Sequence, residues 1–423
     1  MFSIPNPVQF RPMKVNNQEF DIVVIGGGAA GLASAIQSAM MGKKVAIVDS
    51  NPVPGRKLSA TGSGRGNLTN LNARADDYFC QSPESLVSTY QAYDPNGVRK
   101  WLEQMGIPTY ATDDGWVYPY SESAANVSEI LTERARQTGV VFYPHTLATI
   151  IQREQNRFLI GNQDKQFSLK AGKVIVAAGG PAAPQLGARD DLQPALLTLG
   201  HHINPFHPAL APIETTPTPP ISMRGVRIDA LVSLFHSAKQ IAETNGNIIF
   251  TDWGVNGPGV MDVSHLINAE NAMELSLRIN LLPNLEKSID ALNKSANNSS
   301  MPLRSLLQAY LPPRAVKFVC ETAGIDENTS LPLKANSLEH LLKTGAMLTF
   351  DIKAVRGYKF CQASAGGIPL HEIDTNTLES RIQAGVYFAG EILDVSGPCG
   401  GYNLQWAFAS GLMAGRCAAA ALD

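Results

Sequence analysis

Cysteine is scarce. The chain has five in 423 residues (Cys80, Cys320, Cys361, Cys399 and Cys417), an odd, scattered set with no CxxC pair and no zinc-ligand spacing. This excludes a disulfide framework, a dithiol relay and a thiolate metal centre, and fits reduced thiols in the cytoplasm. Charge is thin as well: 17% of residues are charged and the net charge is -3, so there is no bulk attraction to nucleic acid or an anionic membrane. No apolar run reads as a membrane span, and Met1–Glu19 is polar and proline-bearing, without the apolar core of a secretory signal. His201, His202 and His207 cluster without an acidic partner at ligand spacing, so no metal site is expected. Internal repeats are absent.

What the chain does have begins at Phe20–Asp49, FDIVVIGGGAAGLASAIQSAMMGKKVAIVD. Ile22–Ile25 reads as a buried parallel strand, a helix is predicted to about Met41, and Val45–Val48 is a second strand ending on Asp49. Between the first strand and the helix stands Gly26-Gly27-Gly28-Ala29-Ala30-Gly31. Gly26 permits the tight turn, Gly28 lets backbone approach a pyrophosphate, and Gly31 lets the helix lie close on the sheet. The helix start offers unpaired N–H groups and partial positive charge to phosphates. Asp49, eighteen residues past Gly31, sits near the distance expected for a ribose-binding acid. A lone GxGxxG is weak; strand, helix and terminal acid together point to a dinucleotide. No second such motif occurs.

Asn51–Asn70, rich in Gly, Ser, Thr and Asn and carrying Arg56, Lys57 and Arg65, is expected to run back over that ligand. Helical periodicity follows at Glu84–Tyr93 and Gly97–Met105, then an aromatic strand-like stretch at Pro108–Tyr120 and a helix at Ser123–Thr138 with Ser123 as N-cap. Val140–Leu169 alternates as short strands, and Lys173–Ala178 is a buried strand running into Gly179-Gly180. Six prolines in Pro205–Pro220 exclude a helix there and mark a change of organisation. Ile221–Asn280 is strand-rich, Leu282–Lys343 helical, and sheet returns near Phe350. In Gly385–Gly415 a strand ends at Gly390-Glu391, a Gly-rich loop follows, and a long apolar helix starts near Asn403. That second helix start suits the redox ring of an extended cofactor, with Glu391 placed like an acid bonding a ribityl chain.

Four segments carry a resemblance: GGGAAG at 26–31, GRKLSATGSGRGNLTN at 55–70, FTDWGVNGPGVMDVS at 250–264 and GVYFAGEILDVSGPCGGYNLQWAFASG at 385–411. In order and over nearly the whole chain, they resemble the aminoacetone-oxidase-like, BaiN/YhiN-type family of FAD flavoproteins. The resemblance implies an α/β chain: a glutathione-reductase-type FAD-binding Rossmann domain with an inserted β-barrel domain and a small helical domain. The implied boundaries are 1–203 and 357–423 for the FAD domain, 204–282 and 346–356 for the barrel, and 283–345 for the helical insertion. It puts Gly26, Gly28, Ala29, Ala30 and Gly31 at the pyrophosphate, Asp49 at the adenosine ribose and Leu147 at adenine. Arg56, Lys57, Gly64, Arg65 and Asn67 fall in the loop over pyrophosphate and isoalloxazine. Ala178, Gly179 and Gly180 close the last parallel strand, while Gly390, Glu391, Gly401, Tyr402, Asn403 and Leu404 match ribityl and pyrimidine-ring contacts.

Three departures stand out. Gly66 replaces the family's usual cysteine, Asp252 replaces a histidine, and Pro181–Pro184 replaces a polar segment. No catalytic residue is assigned; Tyr118, Tyr402 and Cys399 are candidate proton donors in the cleft. FAD is the expected cofactor, with NADH or NADPH as a transient donor. Three activities stay open: reduction of an activated C=C bond in a small molecule, reduction of a uridine in large-subunit ribosomal RNA, and amine oxidation by O2. Arg224, Arg227, Arg314, Lys317, Lys334 and Lys343 could supply an RNA surface, or equally a solvated face.

Overall fold

A computed structural model describes residues 15–164, 167–283, 294–297, 300–333 and 336–423. The chain forms two compact units, one drawn from residues up to His207 and from Ala363 onward, the other from Pro208–Gln362.

The first unit is built on a nine-stranded sheet. Five strands lie side by side and parallel: Val141–Tyr143, Val45–Val48, Val15–Ile25, Phe167–Val176 and Val386–Phe388. Ile22, Val23 and Val24 have no exposed surface, as a strand covered on both faces requires, so their run of apolar residues shows no alternation. The C-terminal edge is finished by antiparallel pairs at Ile373–Asp374 and Glu379–Ser380. A separate three-stranded antiparallel sheet joins Thr69–Asn70, Trp116–Pro119 and Thr109–Ala111. The helix Ala124–Gln137 starts at Ser123, whose hydroxyl accepts the Asn126 amide at 3.3 Å.

Two helices cross closely in this unit, Ala29–Met40 (the first helix) and Tyr402–Ala420 (the C-terminal helix). Small residues make the approach possible. A Cβ on Gly411 would stand 2.4 Å from the Ala30 carbonyl oxygen, and one on Gly415 would stand 2.4 Å from that of Ser34. The Ser38 hydroxyl donates across the seam to the Gly415 carbonyl at 2.9 Å.

The second unit holds a closed six-stranded antiparallel barrel of Ile213–Thr216, Gly254–Asn256, Lys239–Phe250, Arg227–His236, Leu275–Asn280 and Leu348–Val355. Leu275–Asn280 alternates buried and half-exposed residues, the period-2 signature of a strand with one inward face. Helices Leu303–Leu307, Pro313–Thr322 and Ser337–Ala346 lie between the last two barrel strands in sequence. The Leu281 amide bonds the Gly345 carbonyl at 3.0 Å, tying that excursion off at its base. The polar patch Asn293–Ser300 lies partly, and Lys334 wholly, outside the described residues.

Candidate functional site

Four segments of the first unit meet at the C-terminal ends of its parallel strands. The first is the glycine turn. Gly26 has φ +103°, and a Cβ there would lie 2.3 Å from the Ala177 carbonyl; a Cβ on Gly31 would lie 1.8 Å from the Gly26 carbonyl. Only glycine fits either place. Around Gly28, by contrast, no atom comes within 4 Å of a Cβ position, so its backbone is open to a ligand.

Asp49 is anchored to this turn. Its carboxylate accepts the Gly27 amide at 2.6 Å and the Asn51 amide at 2.7 Å. Burial raises its pKa above the ordinary carboxylate value, against the lowering effect of those two amides and of Arg56. Beyond the neighbouring strand the Thr146 amide bonds the Asp49 carbonyl at 2.9 Å, which brings half-buried Leu147 alongside.

The loop after Asp49 is the second segment. Arg56 donates to the Asn51 side chain at 3.0 Å. Gly62, Ser63, Gly64 and Gly66 all have positive φ, and no atom lies within 4 Å of a Cβ position on Gly64. Gly66 has φ +80° with Ala124 backbone 3.2 Å from a Cβ position, so a cysteine here would be both strained and crowded. Arg65 turns outward, pairing with Glu122 at 2.9 Å.

Ala178 and Gly179 form the third segment, with Gly180 packed on Ser364. Ser364 escaped the sequence reading; it sits in a short small-residue strand, Ala363–Gly367, that carries no motif signal. Buried, it accepts the Ala182 amide on its hydroxyl at 3.0 Å and donates its own amide to Glu391 at 2.6 Å.

The fourth segment is the C-terminal block. Lys57 reaches the other oxygen of Glu391 at 2.6 Å, joining residues 334 positions apart. Gly390 is held from both sides: Ser410 accepts its amide at 2.9 Å and the Trp406 indole donates to its carbonyl at 3.2 Å. A Cβ on Gly390 would lie 2.9 Å from that of Ala30, so the first glycine turn and this block are adjacent. Asn403 closes the preceding loop on itself, bonding the Gly397 amide at 2.9 Å and carbonyl at 2.8 Å. Thr69 and Tyr93 fasten the buried Gln405 side chain, at 2.6 and 2.9 Å. The amides of Tyr402 and Leu404 thereby start a fixed 19-residue helix behind Gly401.

The predicted residues are thus brought together, apart from the outward Arg65. The groove fits an extended dinucleotide on its own evidence: open glycine backbone at Gly28 and Gly64, two helix starts, two anchored carboxylates, and an orphan acceptor. That acceptor is the Asn67 Oδ1, buried and without a hydrogen-bond partner, 2.8 Å from a Cβ position on Gly401. Buried acceptors are rarely left so, and this one faces the second helix start.

The histidine cluster gains a partner unseen in sequence. Glu372 bonds His201 Nδ1 at 2.7 Å and His202 Nδ1 at 2.5 Å, while His201 Nε2 meets the Ser380 hydroxyl at 2.8 Å. Ser380 also accepts the Ile382 and Gln383 amides, so its proton goes to His201. Burial lowers the His201 pKa.

Comparison with known proteins agrees with this architecture. The model of the HI0933-like protein Rossmann domain matches residues 20–417. The 3-dehydro-bile acid delta(4,6)-reductase of Clostridium scindens is 31% identical, over 94% of this chain and 98% of that protein. The ribosomal RNA dihydrouridine synthase of Escherichia coli is 26% identical, over 93% and 96%. Among solved structures, a 3-ketosteroid-delta4-(5alpha)-dehydrogenase from Rhodococcus jostii RHA1 aligns with a TM-score of 0.46 and 16% identity, over 95% of this chain and 97% of that one. The chain belongs to the HI0933-like family of Rossmann-fold, FAD-dependent oxidoreductases.

Proposed function

We propose that this chain is an NAD(P)H-using, FAD-dependent reductase of an activated C=C bond in a small molecule. The observation that carries it is the convergence of Gly26–Gly31, Lys57, Asn67, Glu391 and Gly401–Leu404 in one groove, in a chain similar end to end to a named C=C reductase. Bound there, FAD supplies hydride and electron transfer. The chain's part is binding and electrostatics. Gly26, Gly28, Ala29, Ala30, Gly31, Arg56 and Lys57 serve the pyrophosphate; Asp49 serves the ribose and Leu147 the adenine. Ala178, Gly179, Gly180, Gly390 and Glu391 serve the ribityl chain, and Gly64, Asn67, Gly401, Tyr402, Asn403 and Leu404 the ring. The C-terminal helix start stabilises negative charge beside it by roughly 0.3–1 kcal/mol, up to ~2 when partly buried. With one dinucleotide motif in the chain, the nicotinamide binds transiently.

Anaerobic mixing with NADH or NADPH tests the reading: the flavin absorbance bleaches, and an activated enone restores it. Persistent colour with both nucleotides rejects it.

A second reading, uridine reduction in ribosomal RNA, is supported by the relatives of that name. The candidate RNA-facing cations are largely engaged within their own unit. Arg314 donates to the Ser222 and Ile221 carbonyls, Lys317 stands 3.8 Å from Glu321, and Lys343 pairs with Glu339 at 2.7 Å. Arg224 and Arg227 are exposed. Deleting the gene and mapping dihydrouridine in ribosomal RNA by mass decides it; a lost modification would favour this reading.

A further inference from the structure

We propose that the barrel unit carries a phosphate clamp, Arg356 held by Trp253 and Phe360, that takes the adenosine 2′-phosphate of NADPH. The inference rests on the reductase reading and adds the choice of electron donor.

Two pinned turns build the clamp. The first follows strand Lys239–Phe250, where the Thr251 hydroxyl accepts the Trp253 and Gly254 amides at 3.4 and 3.0 Å. A Cβ on Gly254 would lie 2.1 Å from the Ile213 carbonyl oxygen, so this turn sits flush on strand Ile213–Thr216. The second follows strand Leu348–Val355. There the Arg356 amide bonds the Pro212 carbonyl at 2.9 Å, Phe360 bonds Gly357 at 2.8 Å and Gln362 bonds Leu210 at 3.1 Å. The Arg356 guanidinium comes to lie 3.8 Å from the Phe360 ring centroid and 4.4 Å from that of Trp253. Both distances are well within cation–π range, and a guanidinium held on ring faces keeps its N–H fork directed past them.

That fork is unspent. Among the described residues the guanidinium donates no hydrogen bond; the acid paired with it, Glu214, stands 3.7 Å away and is shared with Lys353 at 3.6 Å. The Arg356 side chain is 24% exposed, so it is both immobilised and reachable. A fixed, desolvated fork is what bidentate phosphate recognition requires. An arginine near the adenosine ribose is also how a nicotinamide site accommodates the 2′-phosphate. Phe360 supplies the rest: its ring is 46% exposed, leaving surface on which an adenine stacks.

Two further observations narrow the occupant. The chain has one glycine-rich dinucleotide motif, which FAD takes, so a nicotinamide nucleotide must be recognised by side chains elsewhere. Charge around the clamp is balanced: exposed Lys353 and Lys359 are matched by exposed Asp252 and Asp351, with half-buried Glu214 between the strands. Such a surface has no field to hold a polyanion, whereas one phosphate group gains directly from the fixed donors.

The test uses the FAD-loaded parent, Arg356→Ala, Arg356→Lys and Phe360→Leu. Flavin content and melting temperature report folding. Calorimetry on the oxidised protein measures binding of 2′,5′-ADP, 5′-AMP and inorganic phosphate, and anaerobic stopped-flow bleaching compares NADPH with NADH. The parent is expected to bind 2′,5′-ADP at least tenfold more tightly than 5′-AMP. Arg356→Ala should abolish that preference, Arg356→Lys should keep only part of it, and Phe360→Leu should weaken both adenine ligands alike. In bleaching, Arg356→Ala should raise the apparent Kd for NADPH at least tenfold more than that for NADH. Equal binding of 2′,5′-ADP to parent and Arg356→Ala, or a parent that prefers NADH, would overturn the clamp. If Arg356→Ala fails to fold, an undiminished preference in Arg356→Lys does the same. Inorganic phosphate bound as tightly as 2′,5′-ADP would reduce the site to an adventitious ion only and overturn the assignment. Should neither nucleotide bleach the parent's flavin, the reductase reading falls and calorimetry alone judges the clamp. Retention of a ribosomal RNA fragment by the parent at physiological salt, lost in Arg356→Ala, would overturn the proposal in favour of RNA.

Discussion

Replacing Gly411 by alanine adds one methyl group at the crossing of the two helices whose starts frame the groove. An alanine in an exposed helix interior stabilises by about 1 kcal/mol relative to glycine. Here the added Cβ would fall 2.4 Å from the Ala30 carbonyl oxygen and about 3 Å from two more Ala30 backbone atoms, none of which can rotate away. The helices must separate, and overpacking of this kind costs typically 1–3 kcal/mol. The net expectation is a loss of up to about 2 kcal/mol, opposite in sign to propensity. Gly415→Ala meets the Ser34 carbonyl at the same 2.4 Å and should behave alike. The pair should be less than additive, because both methyls are relieved by one separation. Ala30 also abuts Gly390, so flavin affinity should fall with stability. Urea unfolding of the flavin-free protein, followed by far-UV circular dichroism, measures the first effect, and ultrafiltration of free flavin the second. A stabilised Gly411→Ala, or strict additivity in the double variant, would refute the close-crossing account.

Further outcomes follow from the same geometry. Glu391→Gln keeps an acceptor for the Ser364 amide but sets a neutral group against Lys57, and should weaken flavin retention about tenfold, or ~1.4 kcal/mol, by ultrafiltration. Asp49→Asn leaves one oxygen for two amides, so the Gly27 or Asn51 N–H faces an NH2 group; about 1–3 kcal/mol of stability should be lost in urea. Gly66→Cys, which restores the family residue, should destabilise by about 1–2 kcal/mol from its positive φ alone, read as a lower melting temperature. His201 carries the pH dependence. Unfolded, it gains a proton near its ordinary 6.5; folded, burial delays that to lower pH, so stability should fall as pH drops below about 6.5, and His201→Asn should flatten that slope. Glu372 adds a second loss at lower pH. Burial pushes its pKa up, but hydrogen bonds from His202 and His201 outweigh that and hold it below 4.5.

The parts of the site that were legible in the sequence are those where backbone geometry leaves no alternative. Gly26 and Gly31 are fixed by contacts of 2.3 and 1.8 Å that any side chain would violate, and Asp49 by its place at a strand end. Ser123 as N-cap follows from a similarly local rule. Arg65 lies over Tyr118 and against Glu122, a direction set by loop φ values, four of them left-handed nearby, that sequence does not display. Ser364, Ser410 and Gln405 act through hydrogen bonds to distant segments, and Glu372 lies 171 positions from His201. Such pairings have no periodicity and no spacing rule, so only the folded chain reveals them.

The two carboxylates of the groove show why those distant bonds matter. Asp49 holds an amide on each oxygen, and Glu391 holds the Ser364 amide on one and the Lys57 ammonium on the other. An ionised carboxylate has about four lone-pair sites, so each retains acceptor capacity for a hydroxyl after these bonds are made. Fixing such a side chain at the moment of binding costs roughly 0.5–1.5 kcal/mol. In this chain the amides and Lys57 fix both beforehand, and Ser410 and Trp406 fix the Gly390 backbone from which Glu391 projects. In the proposed function, a sugar or ribityl hydroxyl would therefore meet acceptors already in position. Affinity then depends on residues such as Ser364 and Ser410 that need never touch the ligand.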